Sequence, residues 1–376
     1  MRIIFLCGSL EIGRDGVGDY TRRLSGELIH QGHQTAIIAL YDKGIKEVIS
    51  YTQQSEDLII PVLRIPAFYS SNQRCDLAQK WVDNFNPDWL SLQFVPFAFQ
   101  SKGLTIGLSK LLKKIGSDRC WHVMFHELWV GMDIQSSIKL KLWGQIQKKI
   151  IQSMVFRLKP KLIHTQTRLY QEQLYKIGLD SKYLSLFSNI PVHYNRAPKT
   201  YKLPQLKVGS SINFVVFGSI HTGAPIELFT QEASLYAKKK GIKLSLTIIG
   251  RSGEEQLHWK TVWELRGLVV EILGEQTPER ISEVLSKATF GLSTTPSILI
   301  EKSGTVAAMF AHGLPVICIS RIWTPRGVPN FKLPNNVVQY KSGNLETCFL
   351  LASSPKLFNN VSKITRQLTD TLLSED

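Results

Sequence analysis

Residues Thr294–Val316 read TTPSILIEKSGTVAAMFAHGLPV, and this stretch decides the fold. The apolar run Phe290–Ser293 just before it is a strand candidate. A loop leads to Lys302-Ser303-Gly304-Thr305, which opens an alanine-rich helix over Gly304–Ala311. His312-Gly313 closes that helix, and Pro315 opens the next apolar run, Pro315–Ile319. Strand, helix and strand in this order make a βαβ unit of a parallel sheet.

The same alternation extends outward on both sides. Further strand candidates in the second half are Ile212–Phe217, Leu244–Ile249 and Val269–Leu273, with helices over about Pro225–Lys239 and Thr277–Ser286. In the first half they are Ile3–Cys7, Thr35–Leu40, Trp89–Phe94, His122–Phe125, Leu162–Thr165 and Tyr183–Phe187. Between the halves, Arg196–Ser211 carries two prolines, a glycine, serines and four Lys/Arg, with little apolar periodicity. It reads as a linker. The expected class is α/β, with two doubly wound Rossmann-like domains, 1–195 and 212–352, facing a cleft. A terminal segment, 353–376, is expected to form a helix packing back on the first domain.

Composition agrees with a folded enzyme-sized chain. It has 376 residues, of which 43% are hydrophobic and 20% charged, enough to bury a sizeable core. No apolar run is long enough to span a bilayer, and MRIIFLCGSL lacks the pattern of a signal peptide. Cys7, Cys75, Cys120, Cys318 and Cys348 are scattered, as reduced thiols of a cytoplasmic protein would be. The net charge of +15 calls for an anionic partner.

Two segments carry candidate chemistry. In the second half, the backbone N–H groups of Ser303–Thr305 would face a ligand with the helix dipole behind them. Gly304 admits a phosphate oxygen, Lys302 adds charge, and Ser303 and Thr305 add hydroxyl donors. Plain N-capping by Ser303 or Thr305 accounts for the same residues. In the first half, Gly8–Tyr20 (GSLEIGRDGVGDY) follows a strand and opens a helix. It misses the G-x-G-x-x-G dinucleotide fingerprint, although Asp42 stands about where a ribose acid would. A ligand-free glycine turn and a close backbone approach to a ligand both remain open for it.

Taken together, these motifs resemble those of the retaining GT-B glycosyltransferases of the group 1, family-4-like superfamily. Gly313-Leu314-Pro315-Val316 is similar to its GxPV ending, and Phe217-Gly218-Ser219 to the glycine turn of its second domain. Ile249-Gly250-Arg251 and Leu273-Gly274-Glu275 are similar to its next two strand ends. Gly16-Val17-Gly18-Asp19-Tyr20 resembles its acceptor-side loop, and Phe125-His126-Glu127 its strand-end histidine motif. Ser188-Asn189-Ile190-Pro191 resembles its Pro-Asn strand end with the order altered. Within the superfamily, the resemblance is to polysaccharide-building enzymes of bacteria and cyanobacteria, including those of the heterocyst envelope.

The resemblance implies a donor site on Gly218, Ser219, Arg251, Gly274, Glu275, Glu301, Lys302, Ser303, Gly304 and Thr305. It implies that His126 contacts the transferred sugar, and that Gly16, Val17, Gly18, Gln93 and Glu127 line the acceptor side. It implies a UDP-sugar donor, glucose as the first guess, and a saccharide or lipid-linked saccharide acceptor in envelope or exopolysaccharide synthesis. In this family the donor phosphate takes the acceptor's proton. No D-x-D occurs, so no metal is expected and Lys/Arg would take its place. Two departures stand out. Ile300 and Ala308 occupy the positions of the family's E-x7-E pair, leaving the ribose to Glu301 or Glu275. The Arg/Lys pair expected after Gly218 is replaced by Ile220-His221-Thr222-Gly223, which assigns the diphosphate to Lys302 and Arg251. A non-catalytic saccharide-binding subunit and a sugar-nucleotide epimerase are the rival readings.

Several residues read two ways. His164 could line the site or be a satisfied core histidine, and His122 reads as a strand residue. The aromatics of Leu92–Phe99, with Trp121 and Trp129, read as core or as an acceptor wall. Ile138–Lys161 carries seven Lys/Arg and no acid, with Leu142, Ile146, Ile150 and Met154 at helical spacing. That fits a basic amphipathic helix on an anionic membrane surface, at the inner face of a membrane, or an ordinary core-packed helix with a basic outer side. No nucleic-acid motif accompanies the charge.

Overall fold

The computed structural model describes residues 1–116, 118–193, 208–328, 337–351 and 360–375. The first eight strands are β1 (Arg2–Cys7), β2 (Gln34–Asp42), β3 (Ile49–Ser55), β4 (Leu58–Pro66), β5 (Trp89–Phe94), β6 (Cys120–Phe125), β7 (Leu162–Thr165) and β8 (Lys182–Tyr183). They form one sheet in the order β3-β4-β2-β1-β5-β6-β7-β8, parallel except for the β3–β4 hairpin. Chain order reverses between β1 and β5, the switch point where doubly wound sheets bind ligands.

The remaining strands are β9 (Ser211–Phe217), β10 (Lys243–Ile249), β11 (Val269–Gly274), β12 (Phe290–Ser293), β13 (Val316–Cys318) and β14 (Val337–Gln339). They form an all-parallel sheet in the order β11-β10-β9-β12-β13-β14, with its switch point between β9 and β12. The core of this sheet is aromatic. Phe214 on β9 packs against Phe229, Trp263, Phe290 and Phe349 at ring-centre distances of 5.7, 5.8, 6.0 and 6.0 Å.

The chain divides into two units. One comprises Met1–Ser185, Pro325–Pro329 and Val361–Asp376; the other comprises Leu186–Thr324 and Asn330–Asn360. The terminal helix Val361–Leu373 belongs to the first unit and buries Ile364, Leu368 and Leu372. Gln31 donates from its side-chain amide to the carbonyl of Ser362 at 3.2 Å, and Lys182 pairs with Glu375 at 3.1 Å. The linker expected over 196–211 lies outside the described residues up to 207, and Ser211 already begins β9.

Several elements differ from the sequence expectation. The β3–β4 hairpin has no counterpart in it, and neither does β14. The run expected as a strand over Tyr183–Phe187 pairs with β7 only at Lys182–Tyr183. Leu184 and Phe187 beyond it are buried, so their apolar character serves the core and not a strand. The helix Ile138–Leu158 buries Gly144, Gln147, Ile151, Met154, Val155 and Leu158. Leu142 and Ile146, expected on one face with Met154, are exposed on the opposite one.

Candidate functional site

Each unit assembles a constellation at its own switch point. In the first unit the centre is His126, one residue past β6 and buried. Its Nδ1 accepts a hydrogen bond from the Gln166 side-chain amide at 2.6 Å, so the ring proton sits on Nε2. That Nε2–H donates to Gln93 Oε1 at 2.8 Å. The Gln93 amide donates to Ser91 Oγ at 2.7 Å. The Ser91 hydroxyl then donates to His122 Nδ1 at 2.8 Å, and His122 Nε2–H donates to His164 Nδ1 at 3.0 Å. His164 Nε2 ends the series, buried and without a hydrogen-bond partner among the described residues. The expectation of a satisfied His164 therefore fails at one atom, and His122 is more than a strand residue.

Burial keeps all three rings neutral. It pushes His126 down to about 3 and His164 to about 4, the latter helped by the charge of Lys182. His122 lies well below its ordinary value, through burial first and then its neighbours His164 and His126. Tyr20 meets His126 edge-on at 5.0 Å, so the helix after the glycine loop touches the strand-end histidine. Glu127 directly follows and is partly buried.

The glycine loop itself is closed by its own residues. Asp15 caps the helix Gly16–His30, its carboxylate accepting from Val17 N and Gly18 N at 2.9 Å each. Those two N–H groups, left open by the sequence between a ligand and a ligand-free turn, have an internal anion. A Cβ at Gly18 would meet the Ser9 carbonyl oxygen at 2.7 Å, so this glycine answers a close approach within the protein; space around Gly16 is open. Asp42 is equally committed. It accepts from Arg64 Nε at 2.8 Å, Leu10 N at 3.1 Å and Gly44 N at 2.9 Å. A dinucleotide ribose has no claim on it. The aromatics divide: Phe94 and Phe99 are buried and stacked, as are Trp121 and Trp129 buried, while Phe97 is partly exposed.

In the second unit the ends of β9, β12 and β13 lie side by side. Gly218, just past β9, has a left-handed backbone, and a Cβ there would meet Thr305 Cγ2 at 2.7 Å. The glycine turn thus packs on the start of the helix Gly304–Ala311. Ser303 caps that helix by accepting from Val306 N at 3.4 Å, and its hydroxyl lies 3.1 Å from that of Thr305. His221 is tied to Thr294, whose hydroxyl takes its backbone N–H at 2.9 Å. Partial burial lowers the His221 imidazole, and the charges of Lys302 and Arg321 lower it further. The charges of Lys302 and Arg321 thus both reach the His221 turn, and Arg321 Cβ lies 3.7 Å from where a Cβ on Gly223 would stand. Arg321 follows β13 and escaped the sequence reading. Nothing local marks it, because only sheet order brings it beside Gly218–Gly223.

Arg251 sits in the neighbouring loop, where the Ile220 N–H donates to the Ser252 carbonyl at 3.2 Å. It pairs with Glu275 at 3.6 Å at the ends of β10 and β11, beside Gly274. Ser219 is exposed and Glu301 is half-buried. Ile300 and Ala308 are buried in an apolar cluster with Val306, Met309 and Phe310, so neither position points a polar group outward. Among the described residues, no group of three His, Cys, Asp or Glu side chains is placed to hold a metal ion. No helix of the described residues is long and apolar enough to cross a membrane.

Neither a protein-family model nor a curated protein matches the sequence. Solved structures do match. Anabaena HepE in complex with UDP-glucose aligns over 100% of both chains at 15% identity, with a TM-score of 0.58. The pneumococcal O-GlcNAc transferase GtfA, in complex with UDP and GlcNAc, covers 100% of this chain and 99% of its own at 9% identity and a TM-score of 0.54. The UDP-GlcNAc 2-epimerase of Neisseria meningitidis, bound to UDP-GlcNAc, covers 100% of both at 11% identity and a TM-score of 0.53. At these identities the likeness is one of fold, and the fold is GT-B.

Proposed function

We propose that the chain is a glycosyltransferase that draws its sugar from a UDP-sugar held on the second unit. The observation that carries this reading is that the charges of Lys302 and Arg321 both reach the His221 turn, at the switch point and beside a helix start. A sugar leaving a nucleotide leaves a diphosphate behind, and its growing negative charge needs positive charge already in place. Two cations and helix N–H groups supply it. Arg321 joins Lys302 in this role, with Arg251 in the neighbouring loop as a third cation, paired with Glu275 at 3.6 Å.

His126 serves as a fixed neutral group. An imidazole whose acid form is this costly takes no proton near neutrality, so the acceptor's proton goes to the departing phosphate. Transfer with retention, a hexose with glucose tested first, and a saccharide or lipid-linked saccharide acceptor complete the reading. Lys302 and Arg321 do the work of a metal ion in it. Glu301, next to Lys302, is assigned the ribose now that Ile300 and Ala308 are seen to be core.

Calorimetric titration of UDP, GDP and ADP, with and without magnesium, tests the nucleotide site. UDP should bind, independently of magnesium. Lys302→Ala and Arg321→Ala should each weaken binding about tenfold, the effect of one charge-assisted contact. Unchanged affinity in both variants would remove the site. Two rivals have specific support: the epimerase neighbour, and the loss of the acid pair at Ile300 and Ala308. Incubation with UDP-glucose alone separates them. Slow release of free glucose marks a transferase, an isomeric UDP-sugar marks an epimerase, and an unchanged donor marks a binding subunit.

A further inference from the structure

The helix Ile138–Leu158 has two apolar faces, and only one of them meets the core. The buried face carries Gly144, Gln147, Ile151, Val155 and Leu158. On the opposite side, at 3.6 residues per turn, Ile138, Leu142, Ile146, Lys149, Phe156 and Arg157 fall within one stripe. Ile138, Leu142, Ile146 and Phe156 are 74%, 62%, 47% and 77% exposed. Large apolar side chains in a row on a solvent face are not covered by any packing among the described residues. The helix contains no Asp or Glu.

The stripe runs into a basic hollow. A cavity of about 440 Å³ lies where Phe156, Arg157 and Lys159 meet the helix Leu108–Gly116, whose Lys110, Lys113 and Lys114 complete the wall with Ser109. Lys114 is shared with Asp76 at 2.9 Å; the lining itself includes no acid. Five cations around a hollow, continuous with an apolar row, complement one surface in both respects. That surface is an anionic bilayer, with phosphates outside and acyl chains beneath. A nucleic acid would match the cations and leave the apolar row without a counterpart.

We infer that this face docks the first unit on an anionic membrane. Phe156, Ile146, Leu142 and Ile138 enter the interface between headgroups and chains. Lys110, Lys113, Arg157 and Lys159 hold lipid phosphates in and around the hollow. The helix lies along the surface, in keeping with the absence of a spanning helix among the described residues. This inference is independent of the nucleotide site, because no residue in it belongs to the second unit.

Sedimentation of the full chain with vesicles is the test. Vesicles of phosphatidylglycerol mixed into phosphatidylcholine should bind it, and phosphatidylcholine alone should bind far less. Binding to the mixed vesicles should fall steeply with added salt. A Leu142→Ser, Ile146→Ser, Phe156→Ser variant should lose about tenfold or more in partitioning, with its melting temperature and UDP affinity unchanged. A Lys110→Gln, Lys113→Gln, Lys159→Gln variant should lose about tenfold or more and most of the salt dependence. Equal partitioning by wild type and both variants would overturn the inference. So would equal binding to neutral vesicles, or capture of nucleic acid or self-association in place of vesicle binding.

Discussion

Lowering the pH from about 6.5 to about 5 is expected to remove about 3 kcal/mol of folding stability from the first unit through His126 and His164, and more through His122. His122, His126 and His164 are buried and neutral, and each is held below the ordinary histidine value of about 6.5. The sign follows from where the protons bind. Above about 6.5 neither the folded nor the unfolded chain carries them, so stability there owes nothing to these groups. Below that value the unfolded chain takes up a proton at each ring while the folded chain refuses it. His126 and His164 then each cost up to about 1.4 kcal/mol per pH unit, until the pH approaches about 4 for His164 and about 3 for His126, and His122 acts in the same direction. His126 and His164, each half protonated in the unfolded chain at the start of this range, give the stated loss, a large share of the roughly 5–15 kcal/mol typical of a domain, and His122 adds to it in the same direction. His33 and His221 shift in the same direction but are less enclosed and add less. Asp42, held below its ordinary value, begins to matter only at lower pH. Urea unfolding followed across this range should show the slope, and His164→Gln should reduce it. A flat stability from neutral pH to 5 would contradict the neutral, buried arrangement.

Asp42→Ala should cost about 3–5 kcal/mol, the penalty for stranding a buried partner charge. Asp42 is fully buried, and burial alone would raise its carboxyl. Arg64 and the N–H groups of Gly44 and Leu10 outweigh that and hold it below the usual range. The substitution leaves Arg64 with Glu11, 2.6 Å away and half exposed, and removes the acceptor of Leu10 N. It therefore loosens the segment from Ser9 to Asp15 as well as the sheet edge. Replacing both Asp42 and Arg64 by apolar residues should recover much of the loss, since a matched buried pair contributes little net stability. UDP affinity should stay the same, because the nucleotide is assigned to the other unit. A loss under about 1 kcal/mol in the single variant would show that the pair is hydrated and weakly coupled.

Much of this molecule is legible from the chain. The strands β1, β2, β5 to β7 and β9 to β13 are short apolar runs closed by glycine or polar residues, and parallel sheets buried on both faces are written that way. The β3–β4 hairpin is not. Ile49–Ser55 is mostly polar and exposed, and Pro61 sits within β4 like a breaker. Pro61 is tolerated because β2 pairs with β4 only from Val62 onward, so its missing N–H faces a stretch bonded to β3 alone.

The site was partly legible as well. His126, Gln93, Lys302 and the helix start at Gly304 could be found from strand ends and loops. Ser91 offered a signal that went unread: WLSLQF alternates apolar and polar in a strand buried at every position. A polar residue there needs a partner, and register places His122 opposite it. Arg321 and Gln166 offered none, since each acts through a neighbour on another strand.

The series from Gln166 to His164 has one further property. Every member points its hydrogen the same way, and none carries charge, so the series as a whole has a sense, like a row of arrows. A single member cannot turn without leaving two lone pairs, or two hydrogens, face to face beside it. A sugar hydroxyl that claimed the Nε2–H of His126 would vacate Gln93 Oε1, and the Gln93 amide could then rotate and release Ser91. The news of an occupied site would thereby reach His164, on the neighbouring strand, by turns of side chains alone.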